Sequence, residues 1–479
     1  MTRLGERSFV GPEQLTGDPK LDGWSRPSPP AVALATARIL GMILCDDARM
    51  AEVVYVLGAG FSCSILDPSR GMRAPLARNF FQVLLGARGM PGRLDGIRRR
   101  LFVDVLLGEI QRYWHLDFDA LKSTPFDIEE CLTLFESQLL DHPPPDRELA
   151  LHRARFALLN LLLMHLGELS HGGHGPVGHQ FGSDVLASGA DVLTFNYDSL
   201  AEELIGSASG IGPKTQPIRR SNSYPDEPVL DEDLDASHLS WKAALACGFK
   251  FDELSLPIAG VSKHVAGDRY YRHPANQLYT TTRVLKLHGS IDWLTYTSRR
   301  YMPPEIDPGT TVPPGGLVLE TYPTFWMGES PTCNGWYMEP RIIAPQLYKN
   351  FQIDPFPDVW RLALQTLAEC RTLIVIGNSL SPTDFRTRRL LLEAFSNHQL
   401  ENLVVINPDT AVLGSIRELT HYAGPAVSCS DLSAFYRLPL SWFDLTRTIS
   451  PSSVQQGAQP GADTNDATGQ SVSEMPSGQ

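Results

Sequence analysis

Several short segments of this chain are almost unbroken apolar runs rich in β-branched residues: VVYVL (53–57), TLIVI (372–376) and LVVIN (403–407). A strand with one wet face alternates apolar and polar residues. An unbroken run suits a strand covered on both faces, as in a parallel sheet between two layers of helices. DVLTF (191–195), RVLKL (283–287) and RIIA (341–344) fit the same description. Helical patterns alternate with them. SPTDFRTRRLLLEAF follows TLIVI, with Ser381 or Thr383 as the expected N-cap, and the amphipathic DPFPDVWRLALQTLAEC precedes it. The expected class is α/β, a Rossmann-like open parallel sheet with helices on both faces.

Residues 76–170 break the alternation. LDGIRRRLFVDVLLGEIQRYW, FDIEECLTLFESQLL and RELALHRARFALLNLLLMHL are three helix-length patterns with no strand between them, which predicts a large helical insertion. Residues 206–281 and 294–338, rich in Pro, Tyr, Ser and acidic groups, are expected as irregular insertions. The N-terminal extension (1–49) is polar and Pro/Gly-rich over its first 30 residues, and the tail (449–479) holds little that could fill a core; both are expected to be wholly or partly disordered. Met50, directly before AEVVYVLGAG, is an alternative start. One elaborated domain over 50–448 is the expected organisation.

The formal net charge of −13 argues against a general nucleic-acid or anionic-membrane binder, since both need a basic surface. The seven cysteines are scattered without a C-x-x-C pair, so neither a zinc ribbon nor a disulfide framework is indicated. The longest uncharged apolar run in the helical part, FALLNLLLMHLG, falls short of the roughly 20 residues of a membrane span. A cytoplasmic protein is the expectation. His171, His174 and His179 in SHGGHGPVGHQFG read as a Gly-rich loop rather than a metal site, and no P-loop or H-E-x-x-H motif occurs.

The chemistry-bearing residues fall at strand ends, where ligands bind in open α/β sheets. After the first strand, Gly58, Gly60 and Ser62 form a turn whose backbone could approach a phosphate; without a glycine at position 63, which is Cys63, it lacks the usual dinucleotide spacing. Asn196 and Asp198 in TFNYD either bind a ligand or cap the next helix. His288 in LKLHGSIDW carries an imidazole whose ordinary near-neutral pKa suits a general base. Gly377 and Ser379 in VIGNSLS and Asn407 in VVINPD end two further strands.

In this order the motifs resemble the sirtuin-like (silent information regulator) superfamily, and within it the bacterial NAD-consuming branch found in antiphage defence: a GAG-x-S turn, T-x-N-x-D, His-Gly, G-x-S and Ile-Asn. The resemblance implies that Gly58, Ala59, Gly60 and Ser62 hold the pyrophosphate of NAD. Gly377, Ser379 and Asn407 would bind its adenosine half and Asp198 its carboxamide. Asn196 would position water or ribose, and His288 would act as the base. The chain departs from deacetylating sirtuins in lacking their four-cysteine zinc module, since only Cys333 lies between the His-Gly and G-x-S motifs, with Cys370 in the preceding helix. DPSRGMRAPL replaces their D-F-R element, with Arg70 and Arg73 as substitutes. The implied activity is NAD+ glycohydrolase with no metal, NAD being the substrate. The implied partners are a second copy of the chain, a HerA-type ATPase, an Argonaute-like protein or a phage component, any of which would gate a toxic reaction. A protein deacylase or ADP-ribosyltransferase, and a non-catalytic NAD or ADP-ribose sensor, are the alternatives.

Overall fold

The computed structural model describes residues 52–66, 73–86, 100–170, 174–209, 247–258, 261–272, 282–296, 316–320, 332–333, 336–346, 349–380, 384–397 and 400–438. The extension, the tail, Arg70, His171, Ser381 and Thr383 lie outside them.

Among the described residues the first elements are β1 (Val53–Leu57) and α1 (Ala59–Ile65), then α2 (Phe80–Gly86) and a π-helical segment, Arg100–Leu106, running into α3 (Leu107–Trp114). Next come α4 (Phe118–Ser123), α5 (Ile128–Leu140), α6 (Pro145–Ser170) and α7 (Pro176–Ser188). β2 (Asp191–Thr194) and α8 (Leu200–Ala208) precede β3 (Glu253–Ile258), β4 (Val261–Ala266) and α9 (Gly267–Arg272). β5 (Val284–Lys286), β6 (Gly289–Tyr296), β7 (Leu317–Glu320), β8 (Thr332–Cys333) and β9 (Trp336–Ile342) lead to α10 (Phe356–Glu369). The last described elements are β10 (Thr372–Ile376), α11 (Phe385–Ala394), β11 (Asn402–Ile406), α12 (Ala411–Thr420), β12 (Ala426–Cys429) and α13 (Leu432–Tyr436).

β12-β11-β10-β1-β2-β5 form a sheet in that order, parallel throughout. From β1 the chain fills one side through β2 and β5, then returns to fill the other from β10 outward. The strand order therefore reverses between β1 and β10, the place where Rossmann-like sheets open a ligand crevice. Register aligns the exits: Leu57 lies opposite both Ile376 and Thr194, and Ile376 opposite Ile406. The turns beginning at Gly58, Phe195, Gly377 and Asn407 thus leave one sheet edge side by side.

Both sheet faces are covered. Val54, Val56, Leu373, Val375, Leu403 and Val405 pack with Val359 of α10, Leu390 of α11 and Ile416 of α12. Tyr55, Leu57, Ile374, Ile376, Val404 and Ile406 pack with Phe61 of α1, Phe181 of α7, Leu204 of α8 and Phe435 of α13. Full burial of each such side chain is worth about 1.5–3 kcal/mol, which explains why these strands tolerate no alternation. The Rossmann-like α/β class follows directly.

Three features differ from the sequence reading. RIIA is not a strand of the parallel sheet: its first residues end β9, which runs antiparallel to β6. The segments expected to be irregular supply β3, β4, β7, β8, the end of β6 and the start of β9, which form a second sheet ordered β4-β3-β7-β6-β9-β8. Its period is masked by Pro and Tyr in long connections, and its core residues Leu254, Trp293, Leu317 and Leu319 join the same apolar cluster as Val54 and Leu193. Finally, Asp384, not Ser381 or Thr383, caps α11, accepting from the Thr387 N–H at 3.4 Å and from its hydroxyl at 2.8 Å.

α6 is longer than its apolar run. Among the described residues it alone has the length and composition to cross a membrane, but most of it is buried within the protein. Leu161 to Leu166 are all buried, as expected of a helix packed on several sides.

Candidate active site

The β1–α1 turn and the turn after β10 meet backbone to backbone. The Gly58 N–H donates to the Ile376 carbonyl at 3.0 Å and the Gly60 N–H to the Gly377 carbonyl at 2.9 Å. Gly377 stands at φ +61°, and a Cβ there would run into the Gly60 backbone. A Cβ on Gly58 or Gly60 would come within 2.6 Å of Asn378 Cα or 2.7 Å of Gly377 Cα. The sequence reading gave Gly58 and Gly60 to close approach of a phosphate; the structure shows that they are needed first for the packing of two turns. The Gly60 N–H is bonded to Gly377, and the Phe61 N–H donates to the Gly58 carbonyl at 2.9 Å. What this turn leaves exposed is Ala59, together with Cys63 on the next turn and Ser379 across the crevice.

Behind the rim lies a buried network. Asn196 Nδ2 donates to the Gly58 carbonyl and to Ser62 Oγ, both at 3.0 Å. The Ser62 hydroxyl donates to Asp198 Oδ2 at 2.7 Å. Asp198 Oδ1 accepts from the Leu200 N–H at 3.2 Å, so the TFNYD aspartate both closes the network and helps start α8. Burial pushes the Asp198 carboxyl above its ordinary value, against the opposing pull of Lys286, Ser62 and the Leu200 N–H. Both amide hydrogens of Asn196 are spent on the protein, leaving its carbonyl oxygen as the group available to a ligand.

His288 occupies the turn between β5 and β6, one strand beyond Asn196. Phe195, Tyr197, Phe351 and Trp360 surround its ring at centroid distances of 5.3, 6.2, 6.2 and 6.4 Å. Its Nε2 is buried with no hydrogen-bond partner. Burial, reinforced by Lys349 and opposed by Asp384, pushes its pKa down to about 3. This corrects the sequence reading of a near-neutral imidazole: enclosed here, His288 is neutral at physiological pH and a weak base. The Trp360 indole donates to the Leu287 carbonyl at 2.8 Å, and the Ile343 N–H to the His288 carbonyl at 2.8 Å, which fix the turn. Lys349 lies 3.8 Å from both Glu129 of α5 and Asp384, tying the helical insertion to the sheet beside this box. The Arg386 guanidinium stacks over Phe351 at 4.1 Å and Trp360 at 4.9 Å.

Asn407 is committed differently from expectation. Its Nδ2 donates to the Asn378 carbonyl at 3.0 Å, and its Oδ1 accepts from the Asp409 N–H at 2.9 Å. It therefore locks the β11 turn to the β10 turn, while Ser379 stays exposed.

The structure brings Ser62, Asn196 and Asp198 into direct contact, sets Gly377 and Asn407 behind the same rim, and places His288 in an adjoining aromatic enclosure. Lys286, Glu202, Lys349 and Asp384 were missed by sequence reasoning. Only Lys286 left a trace, as the one charged residue inside the RVLKL run between its termini. Of the histidines expected in a Gly-rich loop, His179 lies instead in α7 and His174 lies 3.6 Å from Glu203; no group of three or more His, Cys, Asp or Glu among the described residues is arranged to hold a metal.

No family model and no curated protein matches the chain. Among solved structures, it is similar to a mutant Sir2 homologue in complex with ADP-ribose, at 13% identity and a TM-score of 0.25, over 79% of this chain and 96% of that one.

Proposed function

We propose that this protein is an NAD+ glycohydrolase, with Asn196 and His288 at the reacting end and the Gly58–Ser62 and Gly377–Ser379 turns at the dinucleotide end. The observation that carries this reading is the placement of the Ser62–Asn196–Asp198 network across the β1 and β2 exits, beside the β1–β10 point where strand order reverses, with a buried, unpartnered imidazole one strand away. The motif order shared with sirtuins supports it.

The reaction asks little of the base. The bond between ribose C1′ and the nicotinamide nitrogen breaks with its electron pair going to nitrogen, so nicotinamide leaves neutral and C1′ becomes oxocarbenium-like. Water then forms the new C1′–O bond and gives up one proton, which passes by way of His288 Nε2 to bulk solvent, yielding ADP-ribose. So electrophilic a centre needs a well-placed water more than a strong base, which a neutral His288 of low basicity satisfies. The Asn196 carbonyl oxygen is the acceptor that orients this water or a ribose hydroxyl, and Asp198, held by Ser62, faces the carboxamide.

Depletion of NAD is toxic, so the activity is gated, either by assembly of copies of this chain or by a partner, in keeping with a role in antiphage defence inside the cell. One observation favours a second reading. The enclosure of His288 by four aromatic rings equally suits a module that binds NAD or ADP-ribose without cleaving it. Incubation with NAD in the presence and absence of an acetylated peptide, followed by chromatography, separates the readings. Free ADP-ribose and nicotinamide without peptide support hydrolysis. Peptide-dependent nicotinamide release points to acyl or ADP-ribosyl transfer, and binding without any cleavage to the sensor.

A further inference from the structure

Lys286 is 1% exposed, among the most buried side chains of the protein. An ammonium in that position is costly unless paired and hydrogen-bonded, and a leucine or methionine would fit the RVLKL strand without that cost. Two contacts account for it. Lys286 Nζ lies 2.8 Å from Glu202 Oε1 on α8, and it donates to the main-chain carbonyl of Asp198. Lys286 pairs with Thr194 across β5 and β2, so its side chain reaches past the end of β2 to the turn that carries Asn196 and Asp198. Buried Asp292 lies nearby, accepting from Ser290 Oγ at 2.6 Å. Burial pushes Glu202 up, against Lys286 and with Asp292. One ammonium thus serves several buried carboxyls.

We propose that Lys286, anchored by Glu202, is a positioning residue: it grips the Asp198 carbonyl and so fixes the turn on which Asp198 meets Ser62 and Asn196 is aimed at the substrate. Its effect on turnover rests on the glycohydrolase reading; its effect on Asp198 does not. The groups facing Asp198 are Ser62 and Cys63 from α1, the Leu200 N–H and Glu203 from α8, and Lys286 from β5. Lys286 is the cation among those that act on it, and it lowers a carboxyl that burial raises.

The test uses the full chain and two variants, Lys286→Met and Lys286→Gln, with Asp198→Asn to identify the Asp198 carboxyl band in infrared spectra. Both Lys286 variants move the pH at which that band disappears upward, by about 1–3 units. In NAD cleavage, Lys286→Met lowers kcat about 100-fold with little change in KM. Lys286→Gln, which keeps an N–H donor for the Asp198 carbonyl, recovers part of that loss. Should the Met variant not fold, the Gln variant carries both readouts. An Asp198 band that titrates as in the wild type in every folded variant overturns the proposal, and so does unchanged kcat in an active protein. A wild type that cleaves no NAD sinks the glycohydrolase reading, while the infrared titration still decides the role of Lys286.

Discussion

Ser62 donates to Asp198 at 2.7 Å while accepting from Asn196 at 3.0 Å, so one hydroxyl on α1 orients two side chains from the turn after β2. Ser62→Ala leaves a buried carboxylate oxygen and an amide hydrogen without their partner. The expected cost is about 1–3 kcal/mol of stability, read by denaturant unfolding, with a larger fractional loss in NAD turnover than in NAD binding. Unchanged stability and turnover would remove the network from the account.

Gly377→Ala places a Cβ against the Gly60 backbone at φ +61°. It is expected to destabilise by about 1–3 kcal/mol and to weaken NAD binding, because the two turns can no longer close on each other. Gly414→Ala is the control. Gly414 lies within α12, where an added Cβ meets nothing within 4 Å, and the change is expected to stabilise by about 0.5–1 kcal/mol. Equal effects at the two sites would contradict the packing described.

His288 gives a pH dependence of definite sign. Its folded pKa, about 3, lies below the ordinary 6.5, so between these values the unfolded chain binds the extra proton. Its contribution to stability is complete above about pH 6.5 and is lost as pH falls toward 3. Asp198 and Glu202, raised by burial, act oppositely: their contribution is complete below the ordinary carboxylate pKa and is lost as pH rises. The difference in unfolding free energy between wild type and His288→Gln isolates the histidine and is expected to shrink on acidification from 6.5 to 4. A constant difference over that range would show that the ring is not held neutral.

Lys349→Met removes a cation that helps keep His288 neutral and that restrains Glu129. Imidazole resonances followed by NMR are expected to titrate at higher pH than in the wild type, though still below 6.5, since burial is the larger cause. No upward movement would mean that Lys349 does not act on the ring.

The parallel sheet was legible because strands covered on both faces cannot alternate, and the site because register puts all its turns on one edge. Asn196, Asp198, His288, Gly377 and Asn407 could each be named from strand ends alone. What could not be read was how those groups are spent. Asn407 bonds to a neighbouring turn, Gly58 to Ile376 and Gly60 to Gly377, relationships between segments more than 300 residues apart for the two glycines. The second sheet was hidden because long connections separate β4, β6, β7 and β8, and β12 because Ala426–Cys429 is an edge strand without a buried run. The low basicity of His288 depends on Phe351, Trp360 and Lys349, which no local motif joins to it.

The most direct measurement is nicotinamide release from NAD by the wild type, His288→Ala and Asn196→Ala, each assayed across a concentration series and with its assembly state recorded. Equimolar nicotinamide and ADP-ribose are expected from the wild type, rising with assembly or with an activating partner, and loss of about 100-fold or more in both variants. Variants that cleave NAD as fast as the wild type, or a wild type that binds NAD and leaves it intact in every assembly state, would contradict the glycohydrolase reading.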